Sequence, residues 1–162
     1  ALIARIVREK GGRFILDTNG NPLKLALKEG VYLVKPNLGE LSKISGTDQL
    51  ALDDVDEAAQ ALIAQGICEV VVVSMGAAGA MLVTKDMYQI FPAPAVPRKS
   101  TVGAGDSMVA GMVWSLQQGK SLEEMTMMGV ACGTAATMNE GTKLFLKEDV
   151  LRLYDWISRQ KK

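Results

Sequence analysis

A run of four consecutive valines at residues 70–73 limits the folds open to this chain more than any other feature. An alternating apolar and polar pattern would predict a strand with one face in water. An unbroken β-branched run instead predicts a strand that is buried on both faces. Such strands occur in parallel sheets that are covered by helices on both sides. The sequence therefore predicts an α/β fold with a buried strand over residues 69–74.

The rest of the chain alternates between strand and helix patterns, as a mostly parallel sheet requires. Further strands are predicted over residues 13–17 and 31–34, and a hairpin over residues 80–84 and 87–91. Helices are predicted at the start of the chain, from about residue 37, and over residues 23–29, 53–65, 103–118, 121–138 and 147–159. Ser121 and Glu124 form a capping-box pattern at the start of one of these helices. No repeat or linker divides the sequence, so one domain is expected over residues 1–162.

Composition excludes several classes of function. The 162 residues contain 18 basic and 18 acidic side chains, and this zero net charge argues against a protein that binds nucleic acid or an anionic membrane. Histidine is absent, which excludes Ser-His-Asp hydrolysis, Cys-His proteolysis and zinc held by histidine. A general base must then be a carboxylate, lysine, tyrosine or cysteine. Cys68 and Cys132 lie in apolar runs, so we expect buried, reduced thiols in a cytoplasmic protein.

Residues 100–107 are the segment in which chemistry is expected, between a proline-rich extended stretch and a long helix. Gly103 and Gly105 let the backbone turn tightly and leave N–H groups at the helix start, which favours bound anions. Asp106 lies in the first helical turn and has two interpretations. It is either an acid that stabilises the helix, or a general base beside bound phosphate that deprotonates an attacking hydroxyl. Spacing alone leaves both open.

This segment closely resembles the C-terminal signature of the phosphofructokinase-B (pfkB) family, the ribokinase-like carbohydrate kinases. Three other motifs follow the family's order: residues 35–40 resemble its KPNxxE element, residues 74–79 its SxGxxG nucleotide turn, and residues 136–142 its adenine and cation loop. The phosphosugar branch, which includes the minor bacterial 6-phosphofructokinases, fits best. The resemblance covers essentially the whole chain and implies a three-layer α/β/α ribokinase-like, Rossmann-like sheet.

The resemblance also implies roles for individual residues. Asp106 would deprotonate the sugar hydroxyl, and the amides of Gly103, Ala104 and Gly105 would form an anion hole. Mg²⁺ would be held by Asn37 and Glu40, mostly through water. The expected ATP contacts are Lys35, Asn37, Ser74, Met75, Gly76, Ala77, Ala78, Gly79, Ser100, Thr101 and Val102. The expected K⁺ ligands, mostly backbone carbonyls, are Ser100, Val102, Ala136, Asn139, Gly141 and Lys143.

Members of the family are about twice as long, and their N-terminal half supplies a β-sheet lid and most sugar contacts. No segment here resembles that half, and the sequence starts within a helical pattern. We therefore expect the C-terminal, nucleotide-binding half of a kinase, with the β-lid absent, that binds ATP with negligible turnover alone.

For the intact protein the resemblance implies a homodimer that converts fructose 6-phosphate to fructose 1,6-bisphosphate in glycolysis. The alternatives are a tagatose-6-phosphate kinase or 1-phosphofructokinase, a ribokinase-type sugar or nucleoside kinase, and a non-catalytic nucleotide-binding module.

Overall fold

The computed structural model describes residues 1–47 and 49–160 and has an α/β architecture. Its strands are β1 (Ile15–Leu16), β2 (Val31–Val34), β3 (Cys68–Ser74), β4 (Ala80–Val83) and β5 (Tyr88–Phe91). Its helices are α1 (Leu2–Glu9), α2 (Gly20–Leu27), α3 (Leu38–Ser45), α4 (Val55–Ala64), α5 (Ala104–Gln117), α6 (Leu122–Thr137) and α7 (Lys147–Arg159). The strands form one sheet in the order β1-β2-β3-β4-β5. The α/β prediction is therefore confirmed.

The chain divides into two compact units, one of residues 1–75 with 81–89 and one of residues 76–80 with the chain from Ile90 onward. In the first unit, β1, β2 and β3 pair in parallel, and the register sets Leu16 opposite Val34. All four consecutive valines of β3 are buried, as the sequence predicts. Helices α2, α3 and α4 also supply side chains to this core, including Leu23, Leu41 and Leu62.

The second unit is built on the contact between α5 and α6. Almost every residue of α6 from Met125 to Ala136 is buried. Glycines let the two helices approach closely, because a Cβ on Gly111 would lie 2.8 Å from Cys132 Sγ and one on Gly129 would lie 2.6 Å from Met112 Cγ. The predicted capping box is present, since Ser121 Oγ accepts from Glu124 N at 3.1 Å and Glu124 Oε2 accepts from Ser121 N at 3.0 Å.

Two predicted elements differ from the structure. Helix α2 begins at Gly20, within the predicted turn. Asn19 occupies the N-cap position with an extended backbone, and Pro22 is tolerated in the first turn, where its missing N–H needs no partner. The predicted strand over residues 13–17 contracts to Ile15–Leu16. In residues 1–47 and 49–160 no helix is long and apolar enough to span a bilayer.

Candidate active site

In the first unit, the parallel register of β1 and β2 sets a lysine beside a carboxylate. Leu16 pairs with Val34, so Asp17 and Lys35 are the next residues on neighbouring strands. Lys35 N donates to Leu16 O at 3.0 Å, and Lys35 Nζ lies 3.3 Å from Asp17 Oδ2. Lys35 is only 5% exposed, and a buried ammonium group requires a charged partner. Asp17 was absent from the predicted site residues; its only signal was its position directly after β1.

The predicted magnesium pair, Asn37 and Glu40, forms a capping box at the start of α3. Asn37 Oδ1 accepts from Glu40 N at 2.9 Å, and Glu40 Oε2 accepts from Asn37 N at 2.9 Å. An isolated parallel bridge joins Asn37 to Ser74, and Ser74 N donates to Pro36 O at 2.9 Å. The structure therefore brings the KPNxxE element beside the end of β3, and it fixes both oxygen-bearing side chains.

The capping box decides which kind of Mg²⁺ site this pair can form. One oxygen of each side chain accepts a backbone N–H, which leaves Glu40 Oε1 without a hydrogen bond among the described residues. No group of three or more His, Cys, Asp or Glu in residues 1–47 and 49–160 has a metal-binding arrangement. Mg²⁺ commonly retains several waters and takes one or two carboxylates with substrate phosphates. The residues present fit an ion held largely through water.

A cleft of about 800 Å³ opens beside this capping box. Its walls come from the start of α2 and from the whole length of α3, and they include Asn19, Gly20, Lys24, Asn37 and Glu40. Lys24, which lines the cleft, is exposed and carries a positive charge.

In the second unit, the start of α5 carries free amide groups. Gly103 caps the helix with φ +74°, a backbone conformation that favours glycine. Ala104 N donates to Thr101 O at 3.3 Å. The N–H groups of Gly103, Gly105 and Asp106 have no acceptor in the part of the chain that the structure describes. Two of the three predicted anion-hole amides are thus open, and the amide of Asp106 is a third that the sequence reasoning missed.

Asp106 itself is exposed in this first turn. Its neighbour Ser107 is 1% exposed, and the Ser107 Oγ has no hydrogen-bond partner among the described residues. The carboxylate therefore faces solvent on the helix turn that carries the free amides, which is the arrangement that either interpretation of Asp106 requires.

The SxGxxG turn has one glycine that serves the protein backbone and one that is open. A Cβ on Gly79, whose φ is +99°, would lie 2.0 Å from Phe91 O and 2.6 Å from Ala93 N. Gly76 has φ +59° but nothing within 4 Å of its Cβ position. Gly79 is therefore required for packing against the extended segment after β5, while the surface at Gly76 is open to a ligand.

The predicted potassium ligands of the second unit lie on two joined loops. Lys99 N and Ser100 N both donate to Thr137 O, at 2.8 and 3.3 Å. Asn139 Nδ2 donates to Leu144 O at 3.2 Å, which closes the following loop. The carbonyl oxygens of Ser100, Val102 and Gly141 accept no hydrogen bond within the described residues. Such loop carbonyls fit a monovalent cation; Ala136 O is less available because it accepts from Asn139 N at 3.3 Å.

Each of the two units contains some of the predicted site residues. Lys35, Asn37, Glu40, Ser74 and Met75 belong to the first. The second holds Gly76, Ala77, Ala78, Gly79, Ser100, Thr101, Val102, Gly103, Ala104, Gly105, Asp106, Ala136, Asn139, Gly141 and Lys143.

The two cysteines are free and buried, as predicted. Burial raises the pKa of the Cys68 thiol to about 12 and the pKa of the Cys132 thiol to about 11. At neutral pH both thiols are therefore protonated, which makes them poor nucleophiles.

Comparison with known proteins agrees with the motifs. Residues 2–149 match the model of the pfkB family carbohydrate kinases. ATP-dependent 6-phosphofructokinase isozyme 2 of Escherichia coli is 44% identical over 154 residues, which cover 94% of this chain and 50% of that protein. The 1-phosphofructokinase of Rhodobacter capsulatus is 41% identical over 144 residues, which cover 89% and 45%.

A solved structure of phosphofructokinase-2 from Escherichia coli in complex with potassium superposes with a TM-score of 0.93 at 42% identity. The superposition covers 98% of this chain and 52% of that one. The chain thus has the ribokinase-like fold and spans about half the length of the curated relatives it matches.

Proposed function

Because the chain belongs to the pfkB family of carbohydrate kinases, we propose that it carries ATP-binding residues and the catalytic base of a sugar-phosphate kinase. The start of α5 is the observation that carries this proposal, since free amides and an exposed carboxylate share one helical turn. The whole protein would transfer the γ-phosphoryl group of ATP to fructose 6-phosphate, giving fructose 1,6-bisphosphate and ADP. The 44% identity to a 6-phosphofructokinase supports that substrate.

In this reaction Asp106 accepts the proton of the sugar hydroxyl as its oxygen attacks the γ-phosphorus and the bond to the bridging oxygen of ADP breaks. Phosphoryl transfer depends mainly on positioning and on stabilising charge at the transferring group. The amides of Gly103 and Gly105 donate to that charge. Ala104 joins them if its 3.3 Å hydrogen bond to Thr101 O is released. Lys35, held by Asp17, pairs with an ATP phosphate.

The ions have roles that the residues present can support. Asn37 and Glu40 would hold Mg²⁺ through water, and the ion when bound neutralises phosphate charge. The carbonyls of Ser100, Val102 and Gly141 would hold K⁺. Ser100 and Val102 directly precede the start of α5 in the chain, so a cation there adds positive charge next to the anion-binding amides.

A 1-phosphofructokinase activity is the second candidate, because a 1-phosphofructokinase is 41% identical to this chain. Turnover by the full-length protein with fructose 6-phosphate, fructose 1-phosphate, tagatose 6-phosphate and ribose as acceptors separates the candidates. The acceptor with the largest kcat/KM identifies the substrate, and absence of turnover with all four supports a non-catalytic nucleotide-binding module. We further propose a homodimer for the full-length kinase and a cytoplasmic setting, for which the buried free thiols are typical.

The test of the mechanism compares Asp106→Asn with Asp56→Asn in the full-length kinase. Both carboxylates lie in the first turn of a helix, α5 and α4 respectively. If each only stabilises its helix, both variants lose a few tenths of a kcal/mol of stability and keep their activity. If Asp106 is the base, its variant loses at least about a hundredfold in kcat while its Kd for MgATP stays near wild type. Equal activity of the two variants would refute the assignment.

A further inference from the structure

The first turn of α5 packs against Gly133 of α6. A Cβ on Gly133 would lie 3.1 Å from Ala104 O and 3.3 Å from Met108 Cβ. Both distances are shorter than the ordinary van der Waals range of 3.4–4 Å, so the neighbouring atoms would have to move by a few tenths of an ångström. Ala104 is the first residue of α5. A side chain at position 133 would therefore displace the turn that carries the proposed anion-binding amides.

Gly129 lies one helical turn earlier on α6, and a Cβ added to it would contact different atoms. Its Cβ would lie 2.6 Å from Met112 Cγ, 3.2 Å from Met108 Cγ and 3.2 Å from Met108 O. The first two atoms belong to flexible methionine side chains, and the third is a backbone carbonyl oxygen beyond the first turn of α5. The nearest atom to Gly133 is instead the backbone carbonyl oxygen of Ala104, which moves only if the first turn of α5 moves. The two glycines thus share a helix and a partner helix, but only Gly133 is in contact with the first turn.

Two features of this contact reduce stability. A glycine inside a helix makes the helix less stable than an alanine would, because glycine loses more backbone freedom on folding. In the same turn as Ala104, the buried Ser107 Oγ makes no hydrogen bond among the described residues, and a buried hydroxyl without a partner is unfavourable. The loss of stability from both features is explained if ligand binding requires this turn to lie where it does.

We infer that Gly133 is a positioning residue, which seats the first turn of α5 so that its amides meet the phosphates of the nucleotide. This inference rests on the proposed function, because it assigns the amides to a phosphate ligand. Gly133 does not itself touch the ligand; its effect passes through Ala104.

The experiment compares wild type, Gly133→Ala and Gly129→Ala by calorimetric titration with MgATP and with AMP, which lacks the β- and γ-phosphates. Gly133→Ala is expected to weaken MgATP binding about three- to tenfold, because a displaced turn would weaken the charge-assisted hydrogen bonds from its amides to the phosphates. Its affinity for AMP stays within about twofold of wild type, and Gly129→Ala binds both nucleotides like wild type.

The following outcomes would contradict the inference. An equal loss of MgATP affinity in both glycine variants, or an equal loss for MgATP and AMP in Gly133→Ala, would show a general packing defect and overturn the inference. Thermal unfolding is recorded for each variant, and sucrose is added where folding is incomplete. If Gly133→Ala stays unfolded there, Gly133 is a folding requirement and the inference fails. If wild type binds neither nucleotide, the proposed function fails first, and the inference with it.

Discussion

We expect substitution of Asp17 and substitution of Lys35, which form one ion pair, to change the free energy of unfolding by different amounts. Lys35 Nζ lies 3.3 Å from Asp17 Oδ2, with side-chain exposures of 6% and 26%. At an effective dielectric constant of about 20, two unit charges at this distance attract by roughly 5 kcal/mol. Desolvation and the partial exposure of Asp17 reduce this attraction. Asp17→Asn should therefore lower the free energy of unfolding by about 3 kcal/mol, because it leaves a buried ammonium group without its partner.

Substitution of the other member of the pair, Lys35→Met, removes the positive charge that needs a partner and keeps most of the side chain's volume. We expect a change of less than about 1 kcal/mol in the free energy of unfolding, since buried ion pairs are often replaced by apolar groups at little cost. Binding of MgATP, however, should be lost in Lys35→Met because the proposed contact with an ATP phosphate would be removed. Asp17→Asn is thus expected to lower stability, whereas Lys35→Met is expected to keep stability and lose MgATP binding.

Urea unfolding monitored by circular dichroism measures both variants. Arg5→Met is the matched control, because the Arg5–Glu29 pair has a short distance of 2.8 Å but leaves the arginine side chain 54% exposed. Exposed pairs contribute at most about 1 kcal/mol. If Asp17→Asn is no more destabilising than Arg5→Met, or if Lys35→Met is as destabilising as Asp17→Asn, the claim that burial makes Lys35 depend on Asp17 is refuted.

Two further predictions concern the turn after β3 and the capping boxes. Gly79→Ala should destabilise the chain by more than about 3 kcal/mol, because the new Cβ meets the backbone at 2.0 Å, whereas Gly76→Ala should cost only roughly 1 kcal/mol for its left-handed backbone. Equal denaturant midpoints for these two variants would contradict the packing argument. Asn37→Ala and Ser121→Ala each remove a cap worth about 1 kcal/mol, but only Asn37→Ala should weaken MgATP binding in a titration. A matching loss in Ser121→Ala would mean that Asn37 acts only as a cap.

Features with a local cause were predictable from the sequence. The four valines of β3 and the Ser121–Glu124 capping box depend on neighbouring residues, and the structure has both. The start of α2 was missed because Asn19 and Pro22 suggest a turn as readily as they suggest a helix start.

The missed parts of the site have causes that lie far along the chain. Asp17 becomes the partner of Lys35 only through the register of β1 and β2. Gly79 was predicted as an ATP contact, but its close packing against the backbone segment that begins at Phe91 was not, and neither was the contact of Gly133 with the carbonyl of Ala104. No local pattern marks these contacts, because each depends on how two separate segments approach in space.

The parallel pairing of β2 with β3 also affects the order in which the chain gains its structure. At the end of β3, Ser74 bonds to Pro36, which is 38 residues earlier, so a long loop must close before these strands are joined. Helices α5 and α6 are joined only by residues 118–121, and their contact is local. Local contacts form faster than distant ones. The helical hairpin that bears the proposed phosphate-binding turn should therefore fold early, and the parallel sheet should complete the slow phase of refolding.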